Sequence, residues 1–265
     1  MYSFSFDSYG VKVAIDCPDE NLLTKAEAAV RMGLLGRLYV IDRGDADHVF
    51  LIWNNNGEHR IELNGEYISE GGEEDNFLNF FETMVRLAIA EYAVDLVFLH
   101  SGAVAWDGKA IIFPADSFSG KSTLVSEFVK RGAIYYSDEY AIIDKHGFLH
   151  PFPRSISLRD FTDGFRRLQV PAESLGGISA TEPLPVAFVF LLRYQANARF
   201  NPKRLSPGVG LMKMMPQAIS LRFKSKFTLE VLNRVANNAI MAESQRDEAK
   251  KTVDHILDFV DKTIS

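Results

Sequence analysis

The segment Ala115-Asp116-Ser117-Phe118-Ser119-Gly120-Lys121-Ser122, followed by Thr123, carries the residue types that hold a chain of phosphates. A triphosphate bears several negative charges, and backbone N–H groups at the positive end of a helix are suited to cradle it. The apolar run Ile111-Ile112-Phe113 predicts a strand entering the loop. Gly120 permits close backbone approach, Lys121 has the length to reach the β- and γ-phosphates, and Ser122 can offer its hydroxyl to Mg²⁺. A helix follows, with Leu124, Val125, Phe128 and Val129 on one face, Lys130 and Arg131 in its last turn, and Gly132 as its stop. The pattern G-x-x-x-x-G-K-[ST] is met except at its first glycine, where Ala115 stands after Pro114. The competing reading is a chance Gly-Lys-Ser triplet, and the strand before it and the capped helix after it argue against that. ATP with Mg²⁺ is the expected ligand.

Asp138 and Glu139 directly follow a second strand-like run, Ala133 to Tyr136. Paired carboxylates at a strand end can hold a metal and accept a proton from an attacking hydroxyl, both of which phosphoryl transfer needs. In an open α/β sheet such a strand emerges beside the phosphate loop. A solvated acidic turn is the plainer alternative. His100 ends the apolar strand Val97-Phe98-Leu99, and a lone histidine there is more often a packing residue than a chemical one. Further cations for the phosphates are sought among Arg154, Arg159, Arg193 and Arg204.

The elements that position these residues fall into two textures. Residues 1–93 form a small strand-rich lobe: short runs at Tyr2 to Phe6, Val11 to Ile15, Leu38 to Ile41, His48 to Trp53 and Ile61 to Leu63 read as an antiparallel meander. A connecting helix follows the acidic stretch Glu70 to Asp75, with Phe77, Phe81, Val85, Ala88 and Ile89 at helical spacing. Residues 94–265 alternate buried strands with helices, which is where nucleotide chemistry belongs; Val186 to Leu192 reads as a central strand. Helices are predicted over Thr228 to Ala242 and Glu248 to Thr263, and Glu173 to Pro185 reads as a mobile connection. Trp106 lies on a hairpin turning at Asp107-Gly108. The Met-rich stretch Leu211 to Met215 reads as core.

The composition excludes several function classes. With 265 residues, 47% of them hydrophobic and 24% charged, the chain has the makeup of an ordinary globular protein. A formal charge of −6 gives no general attraction for nucleic acid or an anionic membrane. The single cysteine, Cys17, forms no internal disulfide, and no basic leader or long apolar run is present, so a cytoplasmic location is expected.

The run Leu99 to Glu139, LHSGAVAWDGKAIIFPADSFSGKSTLVSEFVKRGAIYYSDE, resembles the catalytic domain of HPr kinase/phosphorylase and, more closely, the HPr-kinase-related bacterial kinases. The shared features are a histidine at a strand end, a short hairpin, a G-D-S-x-x-G-K-S-type loop, a helix ending in K-R-G, and an acidic pair. They fall on His100, on Asp116-Ser117 with Gly120-Lys121-Ser122, on Lys130-Arg131-Gly132 and on Ser137-Asp138-Glu139. The likeness extends loosely through Leu149 to Arg159, which favours Arg154 and Arg159 as phosphate-site cations. The resemblance implies an α/β fold, a P-loop kinase core of the type shared with phosphoenolpyruvate carboxykinases, with a mixed sheet and flanking helices. It implies an ATP-dependent kinase acting on a serine-type hydroxyl of a peptide, protein or small molecule. Asp138 inherits the general-base role, and Ser122, Asp138 and Glu139 the metal contacts, with the division of labour within the acidic pair left open. His100 and Lys121 join Asp138 as catalytic. Relatives assemble, so a homo-oligomer is plausible. The chain departs from the bifunctional enzymes at Glu139, where they have Asp, and in having no R-G-x-G-type signature downstream, which disfavours HPr itself as the substrate. The alternative is a nucleotide-binding regulatory protein without catalysis.

Overall fold

In a computed structural model describing residues 1–55, 57–116, 119–160 and 166–264, the chain divides into two compact units, Met1–Val94 and Asp95–Ser265. Both are mixed α/β structures.

The first unit contains β1 (Tyr2–Ser8), β2 (Val11–Cys17), α1 (Glu20–Gly33), β3 (Tyr39–Val40), β4 (His48–Asn55), β5 (Glu58–Leu63), β6 (Glu66–Glu70) and α2 (Glu74–Tyr92). Its sheet runs β3-β1-β2-β4-β5-β6. The predicted antiparallel meander is corrected at two places: β2 and β4 pair in parallel, and β3 lies at the sheet's edge beside β1. Parallel neighbours need a crossover connection, and α1 lies within it. This helix escapes the strand-centred reading although its start signal is present, since the Asp19 carboxylate caps it by accepting from the N–H groups of Asn21 and Leu22. Phe6, Ile15, Phe50 and Phe81 are fully buried in the core.

Helices α1 and α2 approach closely at Gly33, where a Cβ would lie 1.9 Å from Glu82 Oε1. Glu82 receives two hydrogen bonds from Arg86, Nε to Oε1 at 2.7 Å and Nη2 to Oε2 at 3.0 Å, in a buried pair within α2. Removing Glu82 takes away two charge-assisted hydrogen bonds from the buried Arg86 guanidinium, which keeps other contacts such as that to Thr83 Oγ1. Glu82→Ala is therefore expected to destabilise this unit by about 1.5–3 kcal/mol, seen as a lower denaturant midpoint with an unchanged slope; an unaltered midpoint would contradict the assignment.

The second unit contains β7 (Leu96–Trp106), β8 (Lys109–Pro114), α3 (Lys121–Lys130), β9 (Ile134–Ser137), β10 (Tyr140–Asp144), β11 (Phe148–His150), β12 (Ile156–Asp160), β13 (Arg166–Val170), β14 (Ile178–Ser179), β15 (Leu184–Tyr194), β16 (Lys203–Arg204), α4 (Pro207–Met214), α5 (Ser225–Asn238), β17 (Ile240–Arg246) and α6 (Ala249–Ile264). The long strand β7 pairs antiparallel with β10 through Leu96–His100 and with β8 through Ser101–Trp106. Strands β8, β15 and β17 are parallel neighbours, so their C-terminal ends open on the same edge. One core cluster joins the sheet to α4 and α5 through Met214, Val231, Leu232 and Val235. A second joins it to α3 and α6 through Phe128, Val129, Ile256 and Val260.

Two further expectations are corrected. The predicted helix over Thr228 to Ala242 stops at Asn238, because Ala239 is extended (φ −95°, ψ 152°), and the chain continues as β17. Glu173 to Pro185 is tied down: β14 pairs with β9, Ser179 donates to Glu173, and the Tyr136 hydroxyl donates to the Glu182 carbonyl. Trp106 donates its indole N–H to Asp261 at 3.1 Å, a packing role. No helix among the described residues is long and apolar enough to cross a membrane.

Candidate functional site

Strand β8 ends at Pro114, and the loop that follows leads into the N-terminus of α3. Ala115 donates its N–H to the His100 carbonyl at 3.3 Å, which fixes the loop's start against β7. Its φ is not positive, so the first-glycine position of the motif tolerates a side chain here. Gly120 is left-handed at φ +81°, and a Cβ there would meet the Arg246 guanidinium at 2.5 Å, so this glycine is required twice over. Ser117 and Phe118 lie outside the described residues.

Lys121 is 8% exposed and donates from Nζ to the carbonyls of Ala115 (2.9 Å) and Asp116 (2.7 Å). Burial brings its pKa down to about 8, against the opposing pull of Asp116, Asp138 and Glu139. The unfolded chain therefore holds more protons than the folded one between about pH 8 and the ordinary lysine value of 10.5, and this group makes stability rise with pH across that window. Asp116 is in turn held by Gln217, whose Nε2 donates to Oδ1 at 2.9 Å. The Ser119 hydroxyl is buried without a hydrogen-bond partner among the described residues.

Asp138 is brought to α3 by the end of β9. The Tyr135 hydroxyl donates to its Oδ1 and the Ser157 N–H to its Oδ2, each at 3.0 Å, and the nearby Ser122 side chain also favours the ionised carboxylate. Burial nevertheless wins and raises its pKa, with these donors opposing. Glu139 pairs with Arg154, Nη1 to Oε2 at 2.9 Å. His100, opposite Tyr140 in the sheet, has its pKa lowered by burial and then by Lys121, so its ring is neutral at pH 7. The structure thus gathers Lys121, Ser122, Asp138, Glu139, Arg154 and His100 in one region. Arg159 lies on β12, with its side chain outside the described set. Arg204 is exposed on β16.

Two residues that hold the loop are not singled out by the sequence. Gln217, in a short turn of 3₁₀ helix, orders Asp116. Arg246, 5% exposed at the end of β17, donates from Nη2 to the carbonyls of Ser119 (2.8 Å) and Gly120 (3.4 Å) and from Nη1 to that of Asp247 (3.0 Å). The false helix prediction through Ala242 hid the strand that delivers it. Had β17 been recognised, a charged residue at the C-terminal end of a strand in an α/β sheet would have been the signal.

Among the described residues no three His, Cys, Asp or Glu side chains come together as a metal cage. Mg²⁺ does not need one, since it is commonly held by one or two carboxylates together with substrate phosphates and waters. Ser122, Asp138 and Glu139 fit that requirement, and the unpartnered Ser119 hydroxyl beside a left-handed Gly120 fits a polyanion. No known protein-family model matches the chain, and no curated protein is significantly similar to it in sequence.

Proposed function

We propose that the chain is an ATP-dependent, Mg²⁺-requiring phosphotransferase that delivers the γ-phosphoryl group to a hydroxyl acceptor. The observation that carries this reading is the buried Asp138 carboxylate set beside Ser122 and the buried Lys121 at the N-terminus of α3. The same reading assigns Asp95–Ser265 to a P-loop kinase core of the HPr kinase and phosphoenolpyruvate carboxykinase type, supported by the order β8, loop, α3, β9, carboxylate pair.

Lys121 neutralises charge on the β- and γ-phosphates, and the N-terminal amides of α3 orient them. The acceptor oxygen bonds to the γ-phosphorus as the bond to the β–γ bridging oxygen breaks, and Asp138 takes the acceptor's proton. Ser122 with Asp138 or Glu139 would hold Mg²⁺, which would supply charge neutralisation on the phosphates. Arg154 holds Glu139 in place. The acceptor class we favour is a serine-type hydroxyl on a small molecule or peptide.

The test is transfer of label from γ-labelled ATP into cell lysate separated into macromolecular and small-molecule fractions, with Asp138→Asn as control. Label in either fraction, lost in the variant, supports a kinase and identifies its acceptor class. Metal-dependent ATP binding without transfer would point instead to a nucleotide-binding regulator, and absence of binding would end the proposal.

Lys121 supplies a separate check. With a free-state pKa of about 8, it must gain proton occupancy when a polyanion docks, because a nearby negative charge favours its charged form. Calorimetry at pH 8 in buffers of different ionisation enthalpy is expected to show net proton uptake on ATP binding. Lys121→Met should bind more weakly and lose that uptake; equal uptake by the variant would contradict the assignment.

A further inference from the structure

The phosphate loop has two differently built sides. On one, Ser122, Asp138, Glu139 and His100 surround Lys121. The other opens into a cavity of about 1390 Å³ over the C-terminal ends of β15 and β17, walled in part by Ser119, Gly120 and Thr123. None of Asp138, Glu139 and His100 is among its described lining residues.

This basin is cationic in a chain whose formal charge is −6: Arg193, Arg199, Lys203, Lys213 and Arg246 face Asp116, Glu243 and Glu248. Lys213 is paired with Glu243, and Arg246 is committed to the loop carbonyls. The side chains of Arg193, Arg199 and Lys203 are exposed and make no hydrogen bond or ion pair among the described residues. Tyr194, 46% exposed, lines the same basin. The Arg246 guanidinium packs over that ring at 5.3 Å, and the hydroxyl is held by Glu248 at 2.6 Å. An aromatic ring packed on one face by Arg246 and held at its hydroxyl by Glu248, beside unpaired cations, offers its other face to a ligand that joins a flat ring to phosphates.

We propose that this basin binds the nucleoside end of the phosphoryl donor, with the base stacked on Tyr194 and the proximal phosphate and ribose facing Arg193, Arg199 and Lys203. The inference rests on reading the loop as a triphosphate site. It follows from in-line transfer, in which attacking and leaving oxygens lie on opposite sides of the phosphorus. With the general base on the Asp138 side, the leaving nucleoside diphosphate belongs on the side of the basin. The donor is therefore a nucleotide and not an inorganic polyphosphate.

The experiment compares binding of ATP and of inorganic tripolyphosphate, each with Mg²⁺, to the full chain and to Tyr194→Ala, Tyr194→Phe and the double variant Arg199→Ala/Lys203→Ala. ATP is expected to bind the parent at least ~10-fold more tightly than tripolyphosphate, from the stacking of one base. Tyr194→Ala should lose most of that preference with tripolyphosphate affinity unchanged, Tyr194→Phe should retain it, and the double variant should weaken ATP. Tripolyphosphate binding as tight as that of ATP, or ATP affinity indifferent to Tyr194→Ala and to the double variant, would overturn the basin assignment while leaving the loop assignment standing. Failure of both ligands to bind the parent would overturn both.

Discussion

Asp138→Asn is expected to lower phosphoryl transfer by ~10²-fold or more while ATP affinity stays within a few-fold of the parent. The amide keeps the shape of the carboxylate but accepts no proton, so its loss falls on turnover. The environment of Asp138 also sets a pH dependence. Burial raises its pKa above the ordinary aspartate value, and a general base works only when ionised, so activity should climb with pH along an acid limb displaced upward from the usual carboxylate range. Tyr135 donates to Oδ1 and favours the ionised form. Tyr135→Phe should therefore move that limb to still higher pH, with a smaller loss at its plateau. Full transfer activity in Asp138→Asn would refute the base role. Loss of Mg²⁺-dependent ATP binding would instead assign Asp138 to the metal and leave Glu139 as the remaining carboxylate for proton transfer.

The strand, loop and helix around Gly120 were legible because their pattern is local. Gly120, Lys121 and Ser122 lie next to one another in sequence, and the strand and helix that frame them each carry their own periodic pattern. The carboxylate pair was legible for the same reason, standing directly after an apolar run. Residues contributed by distant parts of the chain were harder to read. Gln217 follows a proline in an irregular turn, and nothing local marks it as the partner of Asp116. Arg246 was hidden by a competing pattern, since Val231, Leu232, Val235 and Ala236 set a helical stripe that the reading carried into Ile240 to Ala242. Tertiary pairing with β15 decides those residues in favour of a strand. Similarly, the amphipathic α1 was overlooked among strand-like neighbours although Asp19 marks its start, and with it went the parallel pairing of β2 with β4.

Arg246→Ala is expected to weaken ATP binding by roughly 10- to 100-fold, although its guanidinium is turned toward the backbone of the loop. A phosphate loop works only if its N–H groups face the anion, which turns carbonyls outward and leaves them in need of donors. Arg246 supplies those donors to Ser119 and Gly120 from beneath the loop. Arg246 is 5% exposed, and its removal takes the guanidinium donor from the Ser119 carbonyl, while the Gly120 carbonyl keeps the Leu124 N–H at 3.0 Å. The loop can then relax, and the cost appears when the phosphates must reorder it. Arg246 is thus a positioning residue, and its signature differs from that of Lys121. Because the guanidinium acts on the loop's shape, added guanidinium ion at millimolar concentration should partly restore ATP affinity in Arg246→Ala. The same addition should do nothing for Lys121→Ala, whose missing charge belongs on the phosphates. Arg246→Lys should recover only part of the affinity, since one ammonium does not reproduce the planar fork that spans the carbonyls of Ser119, Gly120 and Asp247. Parent-like ATP affinity in Arg246→Ala, or equal rescue of both alanine variants by guanidinium, would show that the loop holds its shape without this residue.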